Sequence, residues 1–333
     1  MIKTTWRQYR TLVVLTGVAF AALAVGALAS NQVLRSYSAD TPGPTPMPRY
    51  DVDRCTEIAC IAGSYMGITS ALLSGLVFLF GALVGATLTA RPRDTETHIL
   101  AFTQSSSRWS WMSSRVLVVV LPLSIAAGLL GAAYATTRTP EFAGVPGRFS
   151  YDIYVLWGPV TAAMMFASMM VGAVLGLFLK STYAVPAALV AVILGGMIVG
   201  GFRSELTPPE TRAEALHTLW TGTGIDDSPE SFARYRDWEF RRAIEDFNGD
   251  PIGDQAVLCP RSYGSQSIEV DRQRFVTSSD ELVSCLEENG AHQVTVYYHP
   301  DEHFWTVQFR ESMLYLLAGL ALLIPARLRI SRL

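Results

Sequence analysis

Hydrophobic and polar positions fall into long blocks along this chain rather than into the short periods of a soluble domain. Six stretches, roughly 11–30, 61–90, 116–136, 154–179, 183–202 and 311–326, are apolar almost throughout. At about 1.5 Å rise per residue, helices of these lengths cross a hydrocarbon layer about 30 Å thick. The second block is the longest and carries Gly81 and Gly85 four apart, with Gly172 and Gly176 spaced likewise in the fourth and Gly196 and Gly200 in the fifth. Small pairs at this spacing let helices approach closely and predict a packed bundle. The first block follows Lys3, Arg7 and Arg10 and ends in small residues, as a signal peptide does, but its length predicts a retained anchor. The block interiors contain essentially no ionisable residue, so the sequence shows no proton relay, and uphill transport would need energy from elsewhere.

The polar segments between the blocks differ from one another. TPGPTPMPRY, residues 41–50, is too rich in proline for helix or central strand and predicts an extended loop. Residues 203–310 read as a soluble insert between spans five and six. Thr207 and two prolines predict the start of one helix, and Ser228-Pro229 a second over about 229–247. A third, about 279–288, ends at Asn289-Gly290. SIEVDRQRF and QVTVYYH alternate as short strands do. The expected fold is therefore an all-α polytopic membrane protein of six transmembrane helices with a small α+β extracytoplasmic insert. Its parts are an interfacial segment at 1–10, five spans within 11–202 with a loop at 91–115, the insert at 203–310, and the last span with a basic tail at 311–333.

Composition agrees: the chain is 50% apolar and 17% charged, too little charge to cover a soluble globule of 333 residues. The net charge of -3 hides a segregation that sets orientation. With the N-terminus inside, the cytoplasmic side collects Lys3, Arg7, Arg10, Arg91, Arg93, Arg108, Arg115, Lys180, Arg327, Arg329 and Arg332, against Asp94 and Glu96. Both termini are then cytoplasmic in a multi-pass protein of the cell membrane. Trp6, Arg7 and Arg10 form an interfacial mix at the headgroups. All four cysteines, Cys55, Cys60, Cys259 and Cys285, fall outside, where disulfides persist. Of three pairings, the local bridges Cys55 to Cys60 and Cys259 to Cys285 are preferred because each pair shares a loop; free thiols or a cross-loop pairing are the alternatives.

Catalytic chemistry is not written in the sequence. GLFLKST at 176–182 lacks the second glycine of a phosphate-binding loop, so ATP hydrolysis is not expected on this chain. The HPDEH run at 299–303 offers imidazoles and carboxylates, but Pro300 breaks the spacing of a zinc-hydrolase helix, and neither cysteine pair has metal-ligand spacing. There is no G-x-S-x-G turn. No catalytic, cofactor or metal residue is assigned, and nucleic acid is not an expected partner. An intramembrane enzyme would have mainly Ser, Thr, Tyr and Met at membrane depth.

The loop at 91–115, RPRDTETHILAFTQSSSRWSWMSSR, sets aromatics beside positive charge. It resembles the loop of the actinobacterial branch of type-2 ABC transporter permeases: an acid, then Thr-His, apolar residues, aromatic-Thr-Gln-Ser, then basic residues and Trp. The matching positions are Asp94, Thr97, His98, Phe102, Thr103, Gln104, Ser105, Arg108 and Trp111. Glu96 stands where the family usually has Gly, and Trp109-Ser110 where a further pair of arginines is common. TWRQYR at 5–10 and YHPDEHFWTVQFRESMLYLL at 298–317 are also similar to the family.

The resemblance implies a six-span permease working with a separate ABC ATPase subunit that binds ATP and Mg, and with a second permease copy or a related one, in the lipid bilayer. Asp94, Thr97, His98, Phe102, Gln104, Arg108 and Trp111 would contact the ATPase. Arg108 suits a carboxylate on it, and Trp109 or Trp111 an apolar cleft. His98, a lone imidazole beside Thr97, reads as a hydrogen-bonding or packing group. The bland reading of the loop is that Trp109, Trp111 and Arg115 anchor the membrane surface. The function implied is an exporter moving an amphiphilic, peptide or drug-like substrate outward. The alternative is a membrane-anchored sensor or accessory protein with a ligand-binding ectodomain.

Overall fold

The computed structural model describes residues 2–40, 57–96, 107–137, 148–149, 154–156, 158–216, 237–253, 255–259 and 282–331. The Pro-rich stretch 41–50 and the expected strand at 267–275 lie outside these residues. Among the described residues, six helices are long and apolar enough to cross a membrane: Ile2–Val33, Ile61–Asp94, Arg108–Thr136, Pro159–Phe178, Ser181–Glu205 and Asp301–Ile330. The chain forms two compact units. One holds Met1–Val145, Ser150–Leu206 and Trp305–Leu333, and the other Pro146–Phe149 and Thr207–Phe304.

In the membrane unit, α1 (Ile2–Asp40) is one helix that runs unbroken from the Trp6-Arg7 segment into the first span. α2 (Glu57–Asp94) follows; α3 (Arg108–Arg115) passes through a π-helical turn, Val116–Val120, into α4 (Leu121–Thr137). α5 (Pro159–Phe178) is the buried centre, and α6 (Ser181–Phe202) lies beside it. The fourth span was expected from residue 154, but Tyr154–Leu156 precede a turn at Gly158, whose φ of +67° suits a residue without Cβ, and Pro159 starts the helix with its fixed φ. The last span is longer than its apolar block: α8 (Phe304–Ala321) begins well before residue 311, and α9 (Leu323–Ile330) follows after Leu322.

Two of the three glycine pairs bring backbones together. A Cβ on Gly85 would come within 2.1 Å of the Met169 carbonyl oxygen, one on Gly172 within 2.3 Å of the Ala82 carbonyl oxygen, and one on Gly176 within 2.3 Å of the Thr89 hydroxyl. Thr89 fixes this approach by donating to the Ala173 carbonyl at 2.7 Å. Gly196 and Gly200 have open space instead. α6 packs on α2 through a second small-residue seam, Ala184 and Ala188 against Ala82, Ala86 and Ala90, while Leu194, Met197, Ile198 and Phe202 stay exposed. Without water between them, such helices are held by close van der Waals contact rather than by a hydrophobic drive.

Although the block interiors lack ionisable groups, charges are buried where the blocks end. Glu311 in α8 is fully buried and makes a two-pronged ion pair with Arg203 at the end of α6, at 2.8 and 3.0 Å. The Arg203 guanidinium also lies 4.0 Å from the Tyr154 ring centroid, and Gln308 donates to the Tyr154 carbonyl at 2.7 Å. Arg115, at the end of α3, is 3% exposed.

The insert unit is a four-stranded antiparallel sheet in the order β1-β4-β2-β3, with β1 Glu210–Glu214, β2 Trp238–Glu245, β3 Pro251–Gly253 and β4 Gln293–His299. Where their residues are described, two expected helices are strands instead. Pro208 and Pro209 favour an extended lead into β1, whose residues pair with β4. Within 229–247, Trp238, Phe240 and Ile244 are strand formers, and pairing with β4 outweighs the weak helical preference of RRAIE. β4, the strand expected at QVTVYYH, turns Val294 and Val296 inward onto Leu282 and Leu286 of α7, residues 282–288. That helix stops at Asn289-Gly290, where Gly290 takes φ +84° and the Asn289 side-chain amide donates to the Cys285 carbonyl at 2.8 Å. Cys259 and Cys285 form a disulfide. The Cys55 and Cys60 side chains lie outside the described residues.

Candidate functional site

The two helices flanking the 91–115 loop place its ends. α2 continues through Pro92 to Asp94, then reverses: Thr95 donates its N–H to the Arg91 carbonyl at 3.0 Å and Glu96 to the Arg93 carbonyl at 3.2 Å. Glu96 takes φ +55°, the left-handed conformation in which helices commonly end and which glycine adopts without strain. On the far side Ser107 caps α3, its hydroxyl accepting from the Ser110 N–H at 3.1 Å. Thr97, His98, Phe102 and Gln104 lie between these ends, outside the described residues, as do Thr103 and Ser105.

The remaining loop residues are distributed unevenly. Asp94 accepts the Ser181 N–H at 2.7 Å, so its carboxylate caps the start of α6. Arg108 is exposed and donates to the Ser331 carbonyl at 2.8 Å. Trp111 is buried, with the Arg115 guanidinium 3.7 Å from its ring centroid, so its indole is occupied inside the bundle. Trp109 is the exposed one of the pair, at 39%. In the N-terminal segment Trp6, Arg7 and Lys3 are exposed, as is Arg10, while Thr5 is buried and shares a hydrogen bond of 3.0 Å with Ser114.

Two features were not singled out from the sequence. Pro92 has no N–H, so the Leu88 carbonyl four residues earlier loses its helical donor. That oxygen takes the Arg115 Nε–H at 3.2 Å and the Tyr9 hydroxyl at 3.5 Å, joining α1, α2 and α3 at one atom. Arg93 reaches the carbonyls of Leu177 at 2.9 Å and Leu179 at 3.3 Å, at the end of α5. Arg329 of α9 points at the same Leu177 carbonyl, at 3.4 Å. The run Arg-Pro-Arg at a helix end was the available signal, since a proline there leaves an unpaired carbonyl beside two donors.

In the insert, Glu210, Glu302 and His303 bring one potential ligand atom each within 4.8 Å of one another. Both carboxylates are exposed, Tyr298 donates to Glu210 at 3.2 Å, and His303 Nε2 stands 3.9 Å from Glu210, an arrangement that hydrogen bonding and charge account for. Arg212 on β1 meets Glu214 at 2.6 Å and Asp237 at 3.1 Å, and also pairs with Glu239.

A family model described as ABC-2 membrane transporter related matches residues 13–203, from the first span to the arginine of the buried ion pair. No curated protein and no solved structure matches the chain.

Proposed function

The chain belongs to the ABC-2 membrane transporter related family, and from that membership we propose that it is the permease of an ATP-driven exporter. As a member it is the membrane subunit of an ABC transporter, multi-pass and not itself the catalytic component. In this reading ATP and Mg are bound by an ABC ATPase subunit, two copies of the chain or two related permeases complete the assembly, and both termini and the 91–115 loop face the cytosol at the plasma membrane. The cargo is amphiphilic, peptide or drug-like and moves outward. The likeness of residues 91–115 to the actinobacterial branch of type-2 permeases supports assigning the chain to that branch.

One observation supports docking at the loop. Arg108 and Trp109 are exposed in the first turn of α3, which passes through its π-helical turn into α4 as one of the six span-length helices. A load applied to that turn reaches a membrane helix directly. The guanidinium suits a carboxylate, and the indole suits an apolar cleft on a partner.

The test is copurification with the ATPase subunit in lipid nanodiscs. Arg108→Ala with Trp109→Ala should lower association at least tenfold, a loss of about 1.4 kcal/mol or more, while membrane insertion is unchanged. Undiminished association would overturn the docking assignment. Binding of the ATPase without any change in its hydrolysis would favour the sensor alternative.

A further inference from the structure

The root of the loop is bound to more than the two spans it connects. Arg93 and Asp94, adjacent at the end of α2, address the two sides of the α5–α6 elbow. The Arg93 guanidinium sits on the Leu177 and Leu179 carbonyls, where α5 ends and its last C=O groups have no helical donor. The Asp94 carboxylate takes the Ser181 N–H, where α6 begins with its first N–H groups unmatched. Each charge faces the helix terminus of opposite partial charge, cation on the C-terminus and anion on the N-terminus. The elbow itself, Leu179 and Lys180, is only two residues of extended backbone, so holding both of its ends fixes the relation between α5 and α6.

We propose that Arg93 and Asp94 are positioning residues that carry movement of the 91–115 loop into spans four and five. This assigns Asp94 to an intramolecular contact, in place of a surface contact with the ATPase, and it rests on the docking reading above. The physical basis is stiffness. α5 is packed along α2 by the glycine contacts, and α6 touches α2 through the Ala82, Ala86 and Ala90 seam, so both helices already lie on the lever that the loop extends. The two side chains make that contact directional at the loop end, because a shift of the α2 terminus displaces the carbonyls and the N–H that the charges hold. Arg329 on the same Leu177 carbonyl brings the end of the last span to the elbow as well.

The experiment uses the full chain with its ATPase subunit in nanodiscs. Spin labels on cysteines at Trp6 and Tyr183, exposed sites on α1 and α6, report the distance between the two helices with and without trapped ATP. Arg93→Ala with Asp94→Ala should bind the ATPase as the wild type does, yet lose at least half of the nucleotide-dependent distance change. Arg93→Lys and Asp94→Asn keep a donor and an acceptor and should restore it, which a general loss of fold would not allow. Hydrogen exchange at the Ser181 amide reads the cap directly and should quicken only when Asp94 is Ala. A full distance change in the double-alanine variant, with ATPase bound, would overturn this proposal alone. Failure of the wild-type chain to bind the ATPase would overturn it together with the docking reading.

Discussion

The membrane unit and the insert unit solve the problem of holding together by different means. The first buries α5 among helices that meet at glycine and alanine, and it holds a buried ion pair, Arg203 with Glu311. The second has a small apolar core, Ile244, Val294, Val296, Leu282 and Leu286 with their neighbours, stapled by Cys259–Cys285 and edged by an ion-pair cluster around Arg212 and a hydrogen-bonded turn at Asp246. In lipid the fit of backbones decides stability, since apolar surface gains little by leaving hydrocarbon. In water a core of that size is marginal and benefits from a covalent constraint. The membrane unit should therefore be brittle to changes of shape or buried charge, and the insert to reductant and acid.

The largest effect should follow from breaking the ion pair. With Arg203 6% and Glu311 0% exposed, Arg203→Ala leaves a carboxylate buried without its guanidinium, a loss of about 3–5 kcal/mol. Unfolding in mixed detergent micelles measures it. Arg203→Met with Glu311→Leu should recover most of that stability, because the cost lies in the stranded charge rather than in a missing attraction. A double variant as damaged as the single would mean that the pair itself, with the Tyr154 ring over it, supplies the stability, and the contrast between the units would lose its basis.

Next comes the disulfide. Cys259→Ser with Cys285→Ser opens a constraint between residues 26 apart and should lower the stability of the insert by about 3 kcal/mol. Hydrogen exchange should show β4 and α7 losing protection while α5 keeps its own. Reductant on the wild-type chain should act in the same direction. If α5 loosens as much as β4, the two units do not fold on separate terms.

How much of this was legible in the sequence depends on whether the deciding partner was local. The six spans were, because an apolar block of sufficient length is a local property, and the Gly81, Gly85, Gly172 and Gly176 spacing did mark a helix contact. The equal spacing of Gly196 and Gly200 marked none, since a small residue permits approach without supplying a neighbour. Glu311 opens the sixth block, and its buried pairing was not legible there because its counterion is 108 residues away. β2 looked helical because its partner, β4, is about fifty residues further along, whereas β4 itself, with Val and Thr alternating, declared its own period. At the loop, one departure carried structural information: Glu96, where the resemblance expects Gly, sits at φ +55°. Trp111 matched the motif but is buried in a core built from several helices, which the motif alone could not reveal.

The smallest effect should come from acid, and in the insert it should centre on one turn. Asp246, at the start of the turn between β2 and β3, accepts the backbone N–H groups of Asp250 at 2.9 Å and Asn248 at 2.8 Å. Those bonds, that of Asp250 first, hold its carboxyl below the usual aspartate range. A depressed folded-state value means that the unfolded chain binds the proton more readily, so the contribution is complete above the ordinary value of about 3.9 and disappears as pH falls through the folded one. The exposed turn should accordingly loosen only below about pH 4. Nuclear magnetic resonance of the Asn248 and Asp250 amides would follow it, and Asp246→Asn, which keeps an acceptor but no titrating charge, should remove the pH dependence while leaving the turn closed. Equal loosening of the buried α5 amides over the same pH range would erase the distinction drawn between the units.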